Sequence, residues 1–164
     1  MDGLCGDVRR PPGEQHDHRR GRLRAHFALR GRKVFLDSGI LIAALNRRDQ
    51  YHRQARSLFG GPTPQWHTSV FVWSEAYSWF LHRHGEEQAR GCRRFLENLD
   101  GLVVLEGTLQ LHRETCRMLD RLRGARLTYV DAASLALVEQ HDISAVWATD
   151  HHLGLTGAEI FPRS

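Results

Sequence analysis

Cysteine is scarce and poorly placed in this 164-residue chain. Cys5, Cys92 and Cys116 are odd in number, far apart and without metal-type spacing. They imply neither a disulfide framework nor zinc, and they place the protein in a reducing cytoplasm. Among the 11 histidines, even the close pairs His82-x-His84 and His151-His152 join no cysteine at a zinc-like spacing. No run approaches the roughly 18 apolar residues of a membrane span. The N-terminus lacks the apolar region of a secretory signal, and no internal repeat is visible. What is present is 41% apolar and 26% charged residues, the composition of a soluble globular protein of about one domain with a real core.

The positive charge is unevenly spread. Residues 1–33 hold nine Lys and Arg against four Asp and Glu, a net of +5, whereas the remainder holds 14 against 15, a net of −1. Segments such as Arg9-Arg10-Pro11-Pro12-Gly13 and His18-Arg19-Arg20-Gly21-Arg22 show no periodicity and few apolar groups. Residues 1–32 therefore read as a basic, disordered N-terminal extension, and 33–164 as the domain. The extension is either a nucleic-acid-binding arm, a solvated appendage, or sequence upstream of the true start.

From Val34 onward, strand and helix signals alternate. Val34 to Asp37 reads as a buried strand that ends in a carboxylate, and Ile40 to Leu45 as the helix after it. Asp49 is placed to cap a helix through His52, Ala55, Leu58 and Phe59, stopped by Gly60-Gly61-Pro62. Gln65 to Thr68 reads as a strand, Phe71 to His84 and Glu86 to Leu99 as helices, and Leu102 to Leu105 as a strand. Thr108 caps a helix that ends before Gly124, and Thr128 starts another that runs to about His141. Ala145 to Thr149 is a strand ending at Asp150, and Ala158 to Phe161 a candidate edge strand. This alternation predicts a parallel sheet covered on both faces.

Four acids stand among apolar neighbours, where an unpaired charge is rare. Asp37 and Asp150 each end an apolar strand, at the edge where open α/β sheets keep their ligands. Glu75 lies in a helix beside Val72, Trp73, Ala76, Trp79 and Phe80. Asp131 opens a helix that continues Ala132-Ala133-Ser134-Leu135. Each acid also has a purely structural reading. Asp131 can complete a capping box with Thr128, Asp37 and Asp150 can cap the helices after them, and Glu75 can simply face solvent. Taken together the four suit one cluster, and clustered carboxylates stay ionised only with a cation. Oxygen-only ligation selects Mg²⁺ or Mn²⁺, ions that activate water and stabilise the charge of phosphodiester displacement.

The ordered set Leu36-Asp37-Ser38, Asp49-x-x-His52-x-x-Ala55, Ser74-Glu75, Thr128-x-x-Asp131-Ala132 and Ala148-Thr149-Asp150-His151 resembles the PIN domain, and most of all its VapC-type branch of toxins from type II toxin–antitoxin pairs. The resemblance runs from Val34 to about Phe161. It implies a three-layer α/β/α sandwich around a mainly parallel sheet of four to five strands, and a Mg²⁺-dependent endoribonuclease with Asp37, Glu75, Asp131 and Asp150 as its acidic quartet. It also implies a homodimer, a small antitoxin that covers the site, and hydroxyls near the metal at Ser38 and Thr149. The long basic extension departs from the pattern.

Other residues invite assignment. Arg47, Arg48, Arg53 and Arg56 can contact RNA phosphate or form a solvated helix face. His52 and His151 fall on the family pattern as structural residues. Trp66, Trp73, Trp79 and Trp147 read as core or dimer interface, with base stacking as the alternative. Two other functions compete with the ribonuclease. One is a non-catalytic module that binds RNA or protein, expected if the acids were incomplete. The other is a phosphatase with Asp37 as nucleophile, which usually needs a second acid where this chain has Gly39.

Overall fold

A computed structural model describes residues 31–162 except Pro62. The expectation for the basic extension, with Cys5, therefore lies outside the described residues up to position 30. Arg32, read as the last residue of that extension, is tied into the domain. Its carbonyl accepts from Gln65 N at 2.9 Å, and its guanidinium pairs with Glu159 at 3.2 Å and donates to Ser144 Oγ at 3.0 Å.

The elements follow in the order β1 (Lys33–Leu36), α1 (Ser38–Leu45), α2 (His52–Phe59), β2 (Gln65–Ser69), α3 (Val70–His84), α4 (Glu86–Glu97), β3 (Val103–Leu105), α5 (Leu109–Arg121), α6 (Tyr129–Gln140), β4 (Ala145–Trp147), a 3-10 turn (His152–Gly154) and β5 (Glu159–Phe161). The five strands form one sheet in the order β3-β2-β1-β4-β5, and all pair in parallel. β1 is central, which is why Val34, Phe35 and Leu36 read as an unbroken apolar run and are fully buried.

The chain runs from β1 outward through β2 to β3, then returns past β1 to β4 and β5. The direction of winding reverses between β1 and β4. Right-handed crossovers then lay the connections on opposite faces of the sheet, which gives the expected three layers. The helices carry sequence patterns that suit these positions. α2, α4 and α5 are amphipathic, with buried residues one turn apart such as Ala89, Cys92 and Leu96, or Leu111, Thr115 and Met118. By contrast, α6 is buried at every position from Ala132 to Val138, where small side chains let it lie close. Under the sheet, Trp66 and Trp147 meet edge to face at 4.5 Å, with Phe59 and Phe95 closing the cluster. Burying each of the large residues contributes about 2 kcal/mol. These two tryptophans are core, as expected; Trp73 and Trp79 are partly buried against it.

One cap differs from expectation. Asp49 does not cap α2, whose N-cap is Tyr51 without a side-chain bond. Asp49 Oδ1 instead accepts from Tyr51 N at 2.8 Å, an Asx turn that ends before the helix begins. α1 starts two residues earlier than read, directly after the strand, because Asp37 itself is the cap.

Candidate active site

Everything of interest gathers where β1 and β4 end. Asp37 N donates to Trp147 O at 2.9 Å, so strand pairing continues up to the carboxylate. Asp37 is only 7% exposed. Its Oδ2 accepts from Gly39 N at 3.0 Å, which makes it the N-cap of α1 as well as a buried charge. Burial pushes its carboxyl up to about 7, and the negative charges of Asp150 and Glu75 push the same way; the Gly39 and Ser38 backbone amides oppose them. Three of the four acids thus lie within electrostatic reach of one another.

Glu75 arrives from α3, which begins at the end of the neighbouring strand β2. Ser69 caps that helix by accepting from Val72 N, and Thr68 Oγ1 donates to Leu36 O, pinning β2 to β1 one residue before Asp37. Ser38 Oγ then donates to Glu75 Oε2 at 2.5 Å. The hydroxyl implied beside the metal therefore orients an acid. Asp150 follows β4, and its Oδ1 accepts from His152 N at 2.9 Å, so it also shapes the turn after it.

Thr149 meets Gly39 so closely that a Cβ on the glycine would stand 2.2 Å from Thr149 Oγ1 and 3.2 Å from Asp37 Oδ2. A side chain at position 39 would force Thr149 to shift. The second acid that an Asp-nucleophile phosphatase usually carries there is a glycine in this chain, which counts against that alternative.

Asp131 is not among the charges that act on Asp37, and it is engaged within its own helix. Its Oδ2 accepts from Thr128 N at 2.8 Å while Thr128 Oγ1 accepts from Asp131 N at 3.1 Å, the complete capping box. What links it to Glu75 is a ring contact. Tyr129, two residues before Asp131, packs edge to face on Phe71, one turn before Glu75, with centroids 5.7 Å apart.

The arginines are elsewhere. Arg47 and Arg48 follow the far end of α1, which eight residues at 1.5 Å each place about 12 Å along the helix from Asp37. α2 docks there too, since His52 Nδ1 bonds Ala43 O at 2.8 Å. His52 thus ties α2 to α1, and Arg53 and Arg56 lie exposed on α2.

The donor set is oxygen throughout: the carboxylates of Asp37, Glu75 and Asp150 and the hydroxyls of Ser38 and Thr149. With Asp37 starved of positive charge, this chemistry fits a hard divalent cation. Among the described residues no group of three or more His, Cys, Asp or Glu stands ready as a coordination sphere.

A profile of the PIN domain matches residues 34–157, most of the chain. The chain belongs to the PIN-domain family. Solved structures of similar fold include VapC20 from Mycobacterium tuberculosis, described as a sarcin–ricin loop cleaving toxin. It has 24% identity and a TM-score of 0.71 over 76% of this chain and 95% of that one. A toxin–antitoxin complex from Klebsiella pneumoniae gives 17% identity and a TM-score of 0.58 over 77% and 94%. FitAcB from Neisseria gonorrhoeae gives 12% and 0.61 over 78% and 96%. No curated protein matches the sequence. In this PIN domain, sequence reasoning singled out four acids by their apolar neighbours; of these Asp37 is buried, Glu75 and Asp131 are half-buried and Asp150 is exposed. It missed Gly39 as the point of closest approach, Ser69 as a cap, and the Phe71–Tyr129 contact. Only Ser69 had a local signal, a hydroxyl directly before an apolar helical run.

Proposed function

We propose that this protein is a Mg²⁺-dependent endoribonuclease, the toxin of a type II toxin–antitoxin pair. The observation that carries the reading is Asp37: a buried carboxylate at the switch point of a parallel sheet, with Glu75 and Asp150 close enough to raise its proton affinity. Membership of the PIN family and the likeness in fold to VapC20 and to toxin–antitoxin complexes support it.

Asp37, Glu75 and Asp150 would hold the cation, with Asp131 supplying the carboxylate oxygen not engaged by Thr128; Mn²⁺ would serve in place of Mg²⁺. When bound, the ion supplies the positive charge that a phosphodiester displacement needs on its attacking and leaving oxygens. The chain's own groups do the rest. Gly39 N holds one Asp37 oxygen, Ser38 Oγ holds one Glu75 oxygen, and the Thr149 hydroxyl fills the gap between the two strand ends. The first two fix a donor before substrate arrives, which lowers the reorganisation the reaction would otherwise require.

A homodimer and a small antitoxin are the partners of this reading. RNA cleavage by the purified protein, with Mg²⁺ and then with EDTA, tests it. Cleavage should require the ion, and Asp37→Asn should lower it by roughly a hundredfold or more. Cleavage that persists in EDTA, or an active Asp37→Asn protein, would overturn the assignment.

A further inference from the structure

Beside the acids, on the side of β2 and β3, the surface is aromatic and apolar without being covered. Tyr129 is 38% exposed and Leu109 66% exposed, and Val70 is exposed with them. Phe71 backs Tyr129 edge to face. Gly107 lets the loop before α5 lie on Phe71 and Val70, since a Cβ there would come within 3.0 Å of the Phe71 ring. The tyrosine ring is also held from the other side. His112 Nδ1 and Tyr129 OH are 2.9 Å apart, and the two rings lie nearly parallel, 28° between planes. An exposed ring fixed by a hydrogen bond at one edge and a phenyl group at its back keeps little rotational freedom to lose on binding.

We infer that Tyr129, oriented by His112 and backed by Phe71, is the stacking face for an unpaired nucleobase of the RNA substrate. The inference rests on the ribonuclease reading above and adds to it a residue that holds an unpaired nucleotide of the substrate. Its position favours a base over an apolar protein segment. Phe71, which backs the ring, shares a face of α3 with Glu75 one helical turn further on, so the ring stands on the Glu75 side of the site. The surroundings are mixed in the way a nucleotide requires, an apolar face with hydrogen-bonding edges. Arg113, next to His112 in α5, and Arg126, three residues before Tyr129 in the chain, are exposed and make no ion pair among the described residues. Arg126 is held at a φ of +57°, unusual for a side-chain-bearing residue.

The test uses the full chain and a short single-stranded RNA containing 2-aminopurine, whose fluorescence falls when the base stacks. In EDTA the RNA should bind with quenching. Tyr129→Phe keeps the ring and should keep the quench. Tyr129→Leu keeps apolar packing on Phe71 but should lose the quench and raise KM for cleavage about tenfold, with kcat little changed. His112→Ala, a surface change, should raise KM by a smaller factor. A parent protein that binds RNA without quenching, or a Tyr129→Leu protein with parental KM, overturns the stacking face while leaving the ribonuclease intact. A parent that neither binds nor cleaves RNA overturns both. If Tyr129→Leu keeps its KM and instead changes the oligomeric state, the surface is a protein interface and the inference is wrong.

Discussion

Asp37 holds an unfavourable charge, and its cost has a definite dependence on pH. Its carboxyl is raised to about 7 in the folded protein, against about 4 in an unfolded chain. Between those values the folded state binds a proton that the unfolded state does not. Stability from this group is therefore greatest below about pH 4, falls as pH rises toward 7, and is flat above, a loss on the order of 4 kcal/mol. Asp37→Asn has no such titration. In EDTA, its melting temperature relative to the parent should rise from pH 5 to pH 8; a constant difference would show that Asp37 is not strained by its surroundings. At Asp131 the capping box and the metal role separate by a methylene. Glu is the usual residue at that position of the box. Asp131→Glu should therefore melt within about 0.5 kcal/mol of the parent yet lose RNA cleavage. Full activity would leave Asp131 as a cap only. Of the three capping readings, those at Asp37 and Asp131 are realised, and neither removes the functional one, because a carboxylate has two oxygens. Asp150 is not the cap, since the 3-10 turn after it is capped by His151 without a side-chain bond. Asp37 was legible because charge in an apolar setting is rare; that setting does not hold for Asp150, which is exposed, or for Glu75 and Asp131, which are half-buried. The bonds that aim the acids were not legible. Ser38 reaches Glu75, 37 residues away, and Thr149 meets Gly39 across 110 positions, distances over which no local pattern carries information.

At the scale of elements, the site depends on how closely α1 leaves β1 beside the end of β4. Gly39→Ala should cost about 1–3 kcal/mol through overpacking against Thr149 Oγ1 and should impair cleavage. Thr149→Ala removes the atom in the way. Denaturant melts of the two single variants and the double variant form a cycle, and the double should be more stable than the sum of the singles requires. Additive effects would mean that Thr149 simply turns aside. The elements themselves were readable to within about two residues, since the apolar runs of β1, β2 and β4 and the stops at Gly60, Gly85 and Gly101 agree with the chain's final course. Asp49 was misplaced because an Asx turn and a helix cap use the same side-chain bond, and sequence does not say which residue receives it.

For the whole molecule, the central sheet and its switch point hold the domain together from Gly31 onward. A protein that begins at Gly31 should unfold cooperatively near the temperature of the full chain. One that begins at Val34 loses Arg32, and with it the bonds to Gln65, Ser144 and Glu159, and should melt lower. Calorimetry of the two distinguishes a dispensable extension from one that reaches into the fold. Parallel order was legible from alternation, and so was the edge where ligands bind. The strand order was not, because nothing local states that β4 returns to lie beside β1. That return brings Asp150 to Asp37, and on it rests the claim that the carboxylates around Asp37 form a cation site. The most direct measurement is thermal unfolding of the parent and of Asp37→Asn at pH 8, each in EDTA and in millimolar Mg²⁺. A ligand that binds only the folded state raises its melting temperature. The parent should rise with Mg²⁺, and Asp37→Asn should start at the same temperature or higher and rise little. An unmoved parent, or an equal rise in both proteins, would contradict the account.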